Sequence, residues 1–232
     1  MVGERMKISI VVPALNEARV IRATLEPLQA LRARGHELIL VDGGSRDETS
    51  RLAEPLVDRL LHTEAGRARQ MNAGARAAAG ELLWFVHADT RIPADADDLL
   101  LRAVRTRPAG RAWGRFDVRL SGAHPLLRVV ERSMNLRSRL SGIATGDQGL
   151  FVDAALFRES GGFPELPLME DIEFSRRLKR YGRPLCLRQT LLTSSRRWED
   201  QGVARTILRM WALRLGYFLG IPAQRLAAHY GP

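Results

Sequence analysis

Cysteine is almost absent from this 232-residue chain. The single Cys186 can close no internal disulfide, so the fold does not lean on an oxidising compartment, and burial as a small apolar side chain is its ordinary use. Long apolar runs are absent as well. The longest, "ILRMWALRLGYFLGI" at 207–221, is interrupted by Arg209 and Arg214 and falls short of the roughly 20 residues that a membrane-spanning helix requires. No N-terminal stretch joins a basic flank, an apolar core and a small-residue cleavage site, because Met1 to Met6 is polar and the run from Ile8 to Pro13 has only strand length. No export signal is therefore expected, and the default setting is cytoplasmic, with peripheral contact at the inner face of the membrane left open. Low-complexity tracts, internal repeats and long linkers are missing. Neither GxGxxG nor GxxxxGK[ST] follows an apolar strand, which disfavours a dinucleotide fold and a P-loop.

Positive charge is in excess. The formal net charge is +10, with 36 Lys plus Arg against 26 Asp plus Glu, and nearly all the cations are arginine. Anionic partners such as nucleotides, phosphates, nucleic acid or a lipid surface are favoured, and charge alone does not choose among them. A hydrophobic content of 45% is enough for one well-buried core near the upper end of single-domain size. One domain over residues 1–232 is expected, with one half at about 7–120 and a second at about 121–232.

Apolar strand-like runs alternate with helical stretches, the pattern of an α/β fold with a parallel sheet flanked by helices. "KISIVVP" (7–13), "ELILVD" (37–42), "DRLLHT" (58–63) and "ELLWFVHAD" (81–89) read as buried strands. Residues 16–35 place Val20, Ile21, Thr24, Leu25, Leu28 and Leu31 on one helical face, with Asn16 as cap, Gly35 as stop and Pro27 as a kink or break. An Ala-rich helix precedes the fourth strand. "AWGRFDVRL" (112–120) alternates like an exposed or antiparallel strand, and "PLLRVVERSMNLRSRL" (125–140) reads as an arginine-bearing helix.

Ligands of open parallel sheets bind beyond the carboxyl ends of the strands, so 13–17, 42–47, 66–72 and 87–90 are expected to share one crevice. Asp42 and Gly43 sit at one such end, in "LVDGGSRD", where a carboxylate accepts hydrogen bonds beside a sharp turn; capping by Ser45 or Asp47 is the plainer use of that loop. Asp89 ends the fourth strand, where one carboxylate plus substrate phosphates is a normal way to hold a hard divalent cation. His87 is a second ligand or an orienting partner of Asp89, the orienting role being preferred. Arg67 and Arg69 open a helix whose N-terminus already attracts a diphosphate. Glu170 and Asp171 open "EDIEFSRRLKRYG" either as complements of the helix dipole or, at a crevice, as a general base. In "SSRRWEDQG" (194–202), Arg196 and Arg197 with Trp198 form a cation-π cluster or a lid over an anionic ligand. The C-terminal aromatics Trp211, Tyr217 and Phe218 read as core or a homodimer face, because Arg205, Arg209 and Arg214 do not gather on one helical face.

The ordered blocks "VVPALNEARVI", "VDGGSRD", "GRARQMNAGARAAAGE", "FVHADT", "GDQGLFV" and "MEDIEFSRRL" resemble the family 2 glycosyltransferases of the GT-A fold over roughly residues 7–182. Within that family they look most similar to the bacterial arsenosugar-biosynthesis-type subgroup. The resemblance implies a GT-A-like, Rossmann-like mixed and mainly parallel sheet, a nucleotide-diphosphate-sugar donor with UDP-sugars favoured, a divalent cation (Mn2+ or Mg2+), and inversion at the anomeric carbon. It places Pro13, Leu15 and Glu17 in the nucleoside pocket with Asp42 on the base, and Arg67, Arg69 and Asn72 beside them. It makes Asp89 the last carboxylate of the metal motif and Asp171 the catalytic base supported by Glu170, with Asp147 and Gln148 of "GDQG" in the substrate site.

Two departures stand out. His87 occupies the position where the family commonly has the first Asp of DxD, leaving one carboxylate for metal. Ser194 to Trp198 keeps only the Arg-Trp pair, Arg197 and Trp198, of the QxxRW motif common in processive synthases, which argues for adding a single sugar to a small-molecule or lipid-linked hydroxyl acceptor. Two rivals are a nucleotidyltransferase, which lacks its basic Gly-rich loop after the first strand, and a basic nucleic-acid-binding protein, which lacks aromatic interleaving.

Overall fold

The computed structural model describes residues 6–228, apart from the side chain of Arg197. Four parallel strands come first: β1 (Ile8–Ala14), β2 (Glu37–Asp42), β3 (Arg59–His62) and β4 (Leu82–Phe85), interleaved with α1 (Ile21–Ala33), α2 (Thr49–Ala53) and α3 (Arg67–Ala77). Then follow β5 (Thr90–Arg91), α4 (Ala96–Val104), β6 (Trp113–Leu120), α5 (Pro125–Ser141), β7 (Phe151–Asp153), α6 (Ala154–Glu159), α7 (Glu170–Leu178), β8 (Leu185–Thr193), α8 (Arg196–Asp200), α9 (Val203–Phe218) and α10 (Ala223–Ala228). All strands join one sheet in the order β3-β2-β1-β4-β7-β6-β8-β5.

Alternation along the strands builds a core on each face of the sheet. Ile8, Ile10 and Val12 of β1, with Leu38, Leu40 and Trp84, pack against Leu25 and Leu28 of α1 and Leu100 of α4. Val11, Ile39, Val41, Leu83 and Phe85 pack against Met71 of α3, Phe157 of α6 and Phe174 of α7. Each fully buried Leu, Ile or Phe contributes about 1.5–3 kcal/mol. Close approach makes two glycines necessary. A Cβ at Gly74 would stand 2.4 Å from Val11 Cγ1, and one at Gly114 would stand 2.2 Å from the carbonyl oxygen of Leu185.

The local expectations are met in part. Gly35 follows α1 at φ +90°, but the helix begins at Ile21 with Val20 in the cap position. Asn16 is not its cap: it holds φ 55°, its N–H donates to Ser45 Oγ at 2.9 Å and its side-chain oxygen accepts from the Arg46 N–H at 2.8 Å. Pro27 lies inside α1 without ending it; it and Ala23, whose carbonyl it frees, are on the exposed side, where water replaces the lost bond. β6 meets the reading of 112–120 as an exposed or antiparallel strand only in part. It is buried for most of its length, antiparallel to β7 only at Trp113 and Gly114, and parallel to β8 from Gly114 to Leu120. The C-terminal aromatics are not all core, since Trp211 is 65% and Phe218 63% exposed.

The fourth strand also stops short. Regular pairing ends at Phe85, and 86–89 form a turn closed by the Thr90 N–H on the His87 carbonyl at 3.1 Å. β5 then pairs with β8 at the far edge of the sheet order. Crossing four inter-strand spacings in a flat sheet takes about 19 Å, whereas five residues reach at most about 18 Å. The sheet therefore curls, and the curl carries the end of β8 over the ends of the parallel strands.

Candidate active site

Under that curl lies a cleft of about 650 Å³. Its walls come from the end of β1 (Pro13, Leu15, Glu17), the start of α3 (Gly66, Arg67, Gln70), the turn after β4 (His87, Asp89), the loop 145–147, the start of α7, the residues after β8 (Ser194, Arg196, Trp198), and α9 (Thr206, Met210, Arg214).

Backbone bonds hold the turn after β4 in place. Thr24 Oγ1 donates to the Ala88 carbonyl at 2.7 Å, and the Ser194 N–H donates to the Asp89 carbonyl at 3.2 Å. The side chains of His87 and Asp89 are thereby left to the cleft. His87 does not orient Asp89 by a hydrogen bond. Its Nδ1 lies 3.1 Å from Asp147 Oδ1, and its Nε2 is buried without a hydrogen-bond partner among the described residues. The ring packs on Gly146, where a Cβ would stand 2.4 Å from Nε2. Burial raises the pKa of Asp89, with repulsion from Asp147 adding to it and His87 and Arg196 opposing. Burial likewise raises Glu17, although Arg196 Nη2 donates to it at 3.2 Å.

Asp171 accepts from the Gly146 N–H at 3.0 Å and the Ile172 N–H at 2.7 Å. Both bonds favour the carboxylate. Burial and the adjacent Glu170 nevertheless push its pKa up to about 6. Glu170 is itself buried, 3.6 Å from Arg67 Nη1. The residue before this pair, Met169, is buried at φ 69°, a left-handed conformation that costs a non-glycine residue about 1–3 kcal/mol and marks a backbone held for its geometry.

Among the described residues no three His, Cys, Asp or Glu side chains are grouped so as to hold a metal ion. Asp89 helps to raise the pKa of Glu17, and Asp147 helps to raise that of Asp89, beside the unpartnered His87 Nε2. A single carboxylate in the position of Asp89 suits a hard divalent cation that completes its shell on substrate phosphates rather than on protein.

Other expected residues lie apart from the cleft lining. Asp42 is buried and accepts from the Ser45 N–H at 3.1 Å and from Ser50 Oγ at 2.8 Å, holding its own loop. Gly43 sits against Gln70, whose amide would be 3.0 Å from an added Cβ. Arg69 turns to Glu64 and Glu165. Asn72 clamps the backbone of Phe163 through both amide atoms, at 2.8 and 2.9 Å. Gln148 is fully buried and caps its own turn by accepting from the Thr145 N–H. Arg197, named for the substrate site, has its side chain outside the described residues.

The sequence alone assigns no site role to Gln70, Thr206 or Arg214, whereas Arg196, expected with Arg197 and Trp198 as a cation-π cluster or a lid over an anionic ligand, lines the cleft. Gln70, also lining it, bonds the Ala14 and Val41 carbonyls at 2.8 and 2.9 Å and joins the ends of β1 and β2. Arg214 and Thr206 line the cleft with Nε and Oγ1 buried and unpartnered among the described residues. Hydrophobic periodicity in α9 conceals both, since they stand among Leu, Met and Trp.

The glycosyl transferase family 2 model matches residues 9–157. An uncharacterized glycosyltransferase of Mycobacterium tuberculosis is 27% identical over 195 residues, covering 79% of this chain and 73% of that protein. In fold, the chain superimposes on Staphylococcus aureus TarS solved with UDP-GlcNAc at TM-score 0.66 and 20% identity, covering 82% of this chain and 58% of that one. It superimposes on the mannosyltransferase PcManGT of Pyrobaculum calidifontis, solved with GDP-Man and Mn2+, at TM-score 0.66 and 22% identity, covering 99% and 66%. It spans only 37% of the longer TarS chain. The architecture is thus that of the GT-A glycosyltransferases, and the chain belongs to glycosyl transferase family 2.

Proposed function

We propose that the protein moves one sugar from a nucleoside-diphosphate sugar, a UDP-sugar being favoured, to a hydroxyl acceptor with inversion at the anomeric carbon. The observation that carries this reading is Asp171: a carboxylate raised to about 6, at the wall of a cleft that also holds an acidic turn and the guanidinium groups of Arg67, Arg196 and Arg214. A base of that pKa is ionised at neutral pH and still accepts a proton readily. Pro13, Leu15 and Glu17 receive the nucleoside, with Asp42 reaching the base only if it releases Ser45. Arg67 and Arg196 face the diphosphate and offset the charge that develops as it leaves. A Mn2+ or Mg2+ ion held at Asp89 would supply further neutralisation of that leaving charge. His87 keeps Asp147 in position through its Nδ1. Asp171 takes the proton of the acceptor hydroxyl, and the Gly146 and Ile172 N–H groups fix its orientation for in-line attack. Glu170 holds Arg67 to the cleft wall. The curled sheet and α8, with Trp198, shield the reacting centre from water.

Thermal unfolding with UDP, GDP, TDP and CDP, each with manganese or with chelator, tests this. Ligand at 100 times its Kd adds about 2.7 kcal/mol. The expected result is a manganese-dependent rise with one nucleotide, UDP foremost, that is lost in Asp89→Ala. No rise with any nucleotide would overturn the reading.

A further inference from the structure

Helix α9 is apolar on the side that faces away from the protein. Leu208, Trp211, Leu215, Phe218 and the following Leu219 are 61–74% exposed, and at 100° per residue they fall on one strip. The opposite side packs on the protein, with Val203, Thr206, Leu213 and Gly216 buried. A helix at a protein surface ordinarily turns polar residues outward. Helix α5 packs on α9 through Leu127, Val130 and Met134 against Val203 and Ile207, and it repeats the pattern: Leu126, Val129, Leu136 and Leu140 are 39–78% exposed.

The exposed charge that α5 and α9 themselves carry is positive. Arg205 and Arg209 border the α9 strip on one edge, and Arg214, on the other, turns its buried Nε to the cleft; Arg132 borders the strip of α5, and Arg139 beside it pairs with Asp117. From residue 201 onward the sequence contains no Asp or Glu, and the one acidic residue of α5, Glu131, is buried and accepts from the Leu120 N–H. The arginines need not gather on one face of α9, since flanking both edges of an apolar strip is the arrangement of a helix lying in a lipid interface. A second copy of the chain is a poorer occupant, because an isologous pairing of these strips sets arginine against arginine with no carboxylate between them.

We propose that this face docks on an anionic lipid bilayer, with Trp211, Leu215 and Phe218 in the boundary between headgroups and acyl chains and the exposed Arg132 and Arg205 on lipid phosphates. Arg214 also lines the cleft. Docking brings that wall of the cleft to headgroup level.

Flotation of the whole chain with vesicles of phosphatidylcholine and phosphatidylglycerol, against phosphatidylcholine alone, tests the assignment. The protein is expected to float with the anionic vesicles and to be released at about 1 M salt, where the Debye length falls to roughly 3 Å. The triple variant Trp211→Ser, Leu215→Ser, Phe218→Ser changes exposed positions only, so its circular dichroism should match that of the parent while its partitioning falls at least about tenfold. Arg132→Glu with Arg205→Glu should weaken binding to anionic vesicles alone. Failure of the parent chain to float, equal flotation of the triple variant, or a solution dimer that this variant abolishes would each overturn the proposal.

Discussion

Asp171 accepts two backbone hydrogen bonds and still titrates high, so burial and the neighbouring Glu170 outweigh both. As the proposed base it must be ionised to act. Transfer should therefore rise with pH through about 6 and level off above it, and a pH-rate profile reads that midpoint directly. Asp171→Asn should lower kcat by about 10²–10⁴-fold on the plateau above that midpoint, by less below it, and remove the inflection. The same shift has a consequence for the fold: a carboxyl raised from 3.8 to about 6 contributes stability that is full below the lower value and is lost as the pH rises through the upper one. Gly146→Ala is expected to be more selective. Its Cβ would press on His87 Nε2, displacing the imidazole from Asp147, so transfer should fall about tenfold or more while the melting midpoint moves by only a few degrees. The carboxylates of Asp89 and Asp171 were legible in the sequence because one ends an apolar run, the other opens a helix and both fall in family motifs, although the helix dipole offered Asp171 a structural use as well. Asn72 and Gln148 were not legible as structural ties. An amide donates and accepts equally well to backbone or to ligand, and only the position of Phe163 or Thr145 decides which.

At the scale of elements, α3 lies close enough to β1 that residue 74 has no room for a side chain: Val11 Cγ1 at 2.4 Å and Val41 Cγ2 at 3.1 Å from an added Cβ. Gly74→Ala should therefore destabilise the protein by about 1–3 kcal/mol in urea unfolding, despite alanine's better helix propensity. That loss, with nucleotide affinity largely retained, would show that the packing supports the fold rather than the chemistry. Helix and strand periods were readable for β1, β2, α1 and α5, whose apolar spacing is regular over many residues. The boundaries that failed have specific causes. Asn16 is drawn from α1 by its bonds to Ser45 and Arg46. The end of β4 yields to a turn that three distant partners, Val11, Thr24 and Ser194, hold by hydrogen bonds. β6 gains a parallel neighbour, β8, that lies about seventy residues along the chain.

At the scale of the whole molecule, one sheet runs through both halves, from β3 in the first to β8 in the second. Calorimetry should accordingly show a single cooperative transition whose midpoint rises as a unit with nucleotide and manganese; two separate transitions would mean that the halves fold independently. The α/β class, the order of strands and helices in the first half, the family and the carboxylates of the cleft were determined by the sequence alone, because each is written in local periodicity or in a short motif whose residue types have few other uses. The tertiary structure decided the rest. It curled the sheet so that β8 pairs with β5, carried Arg196 and Trp198 over the cleft, brought Arg214 of α9 to its wall, and turned an apolar strip of the same helix outward. Those outcomes depend on contacts between residues far apart in the chain, where burial and charge are set by neighbours that no local pattern names.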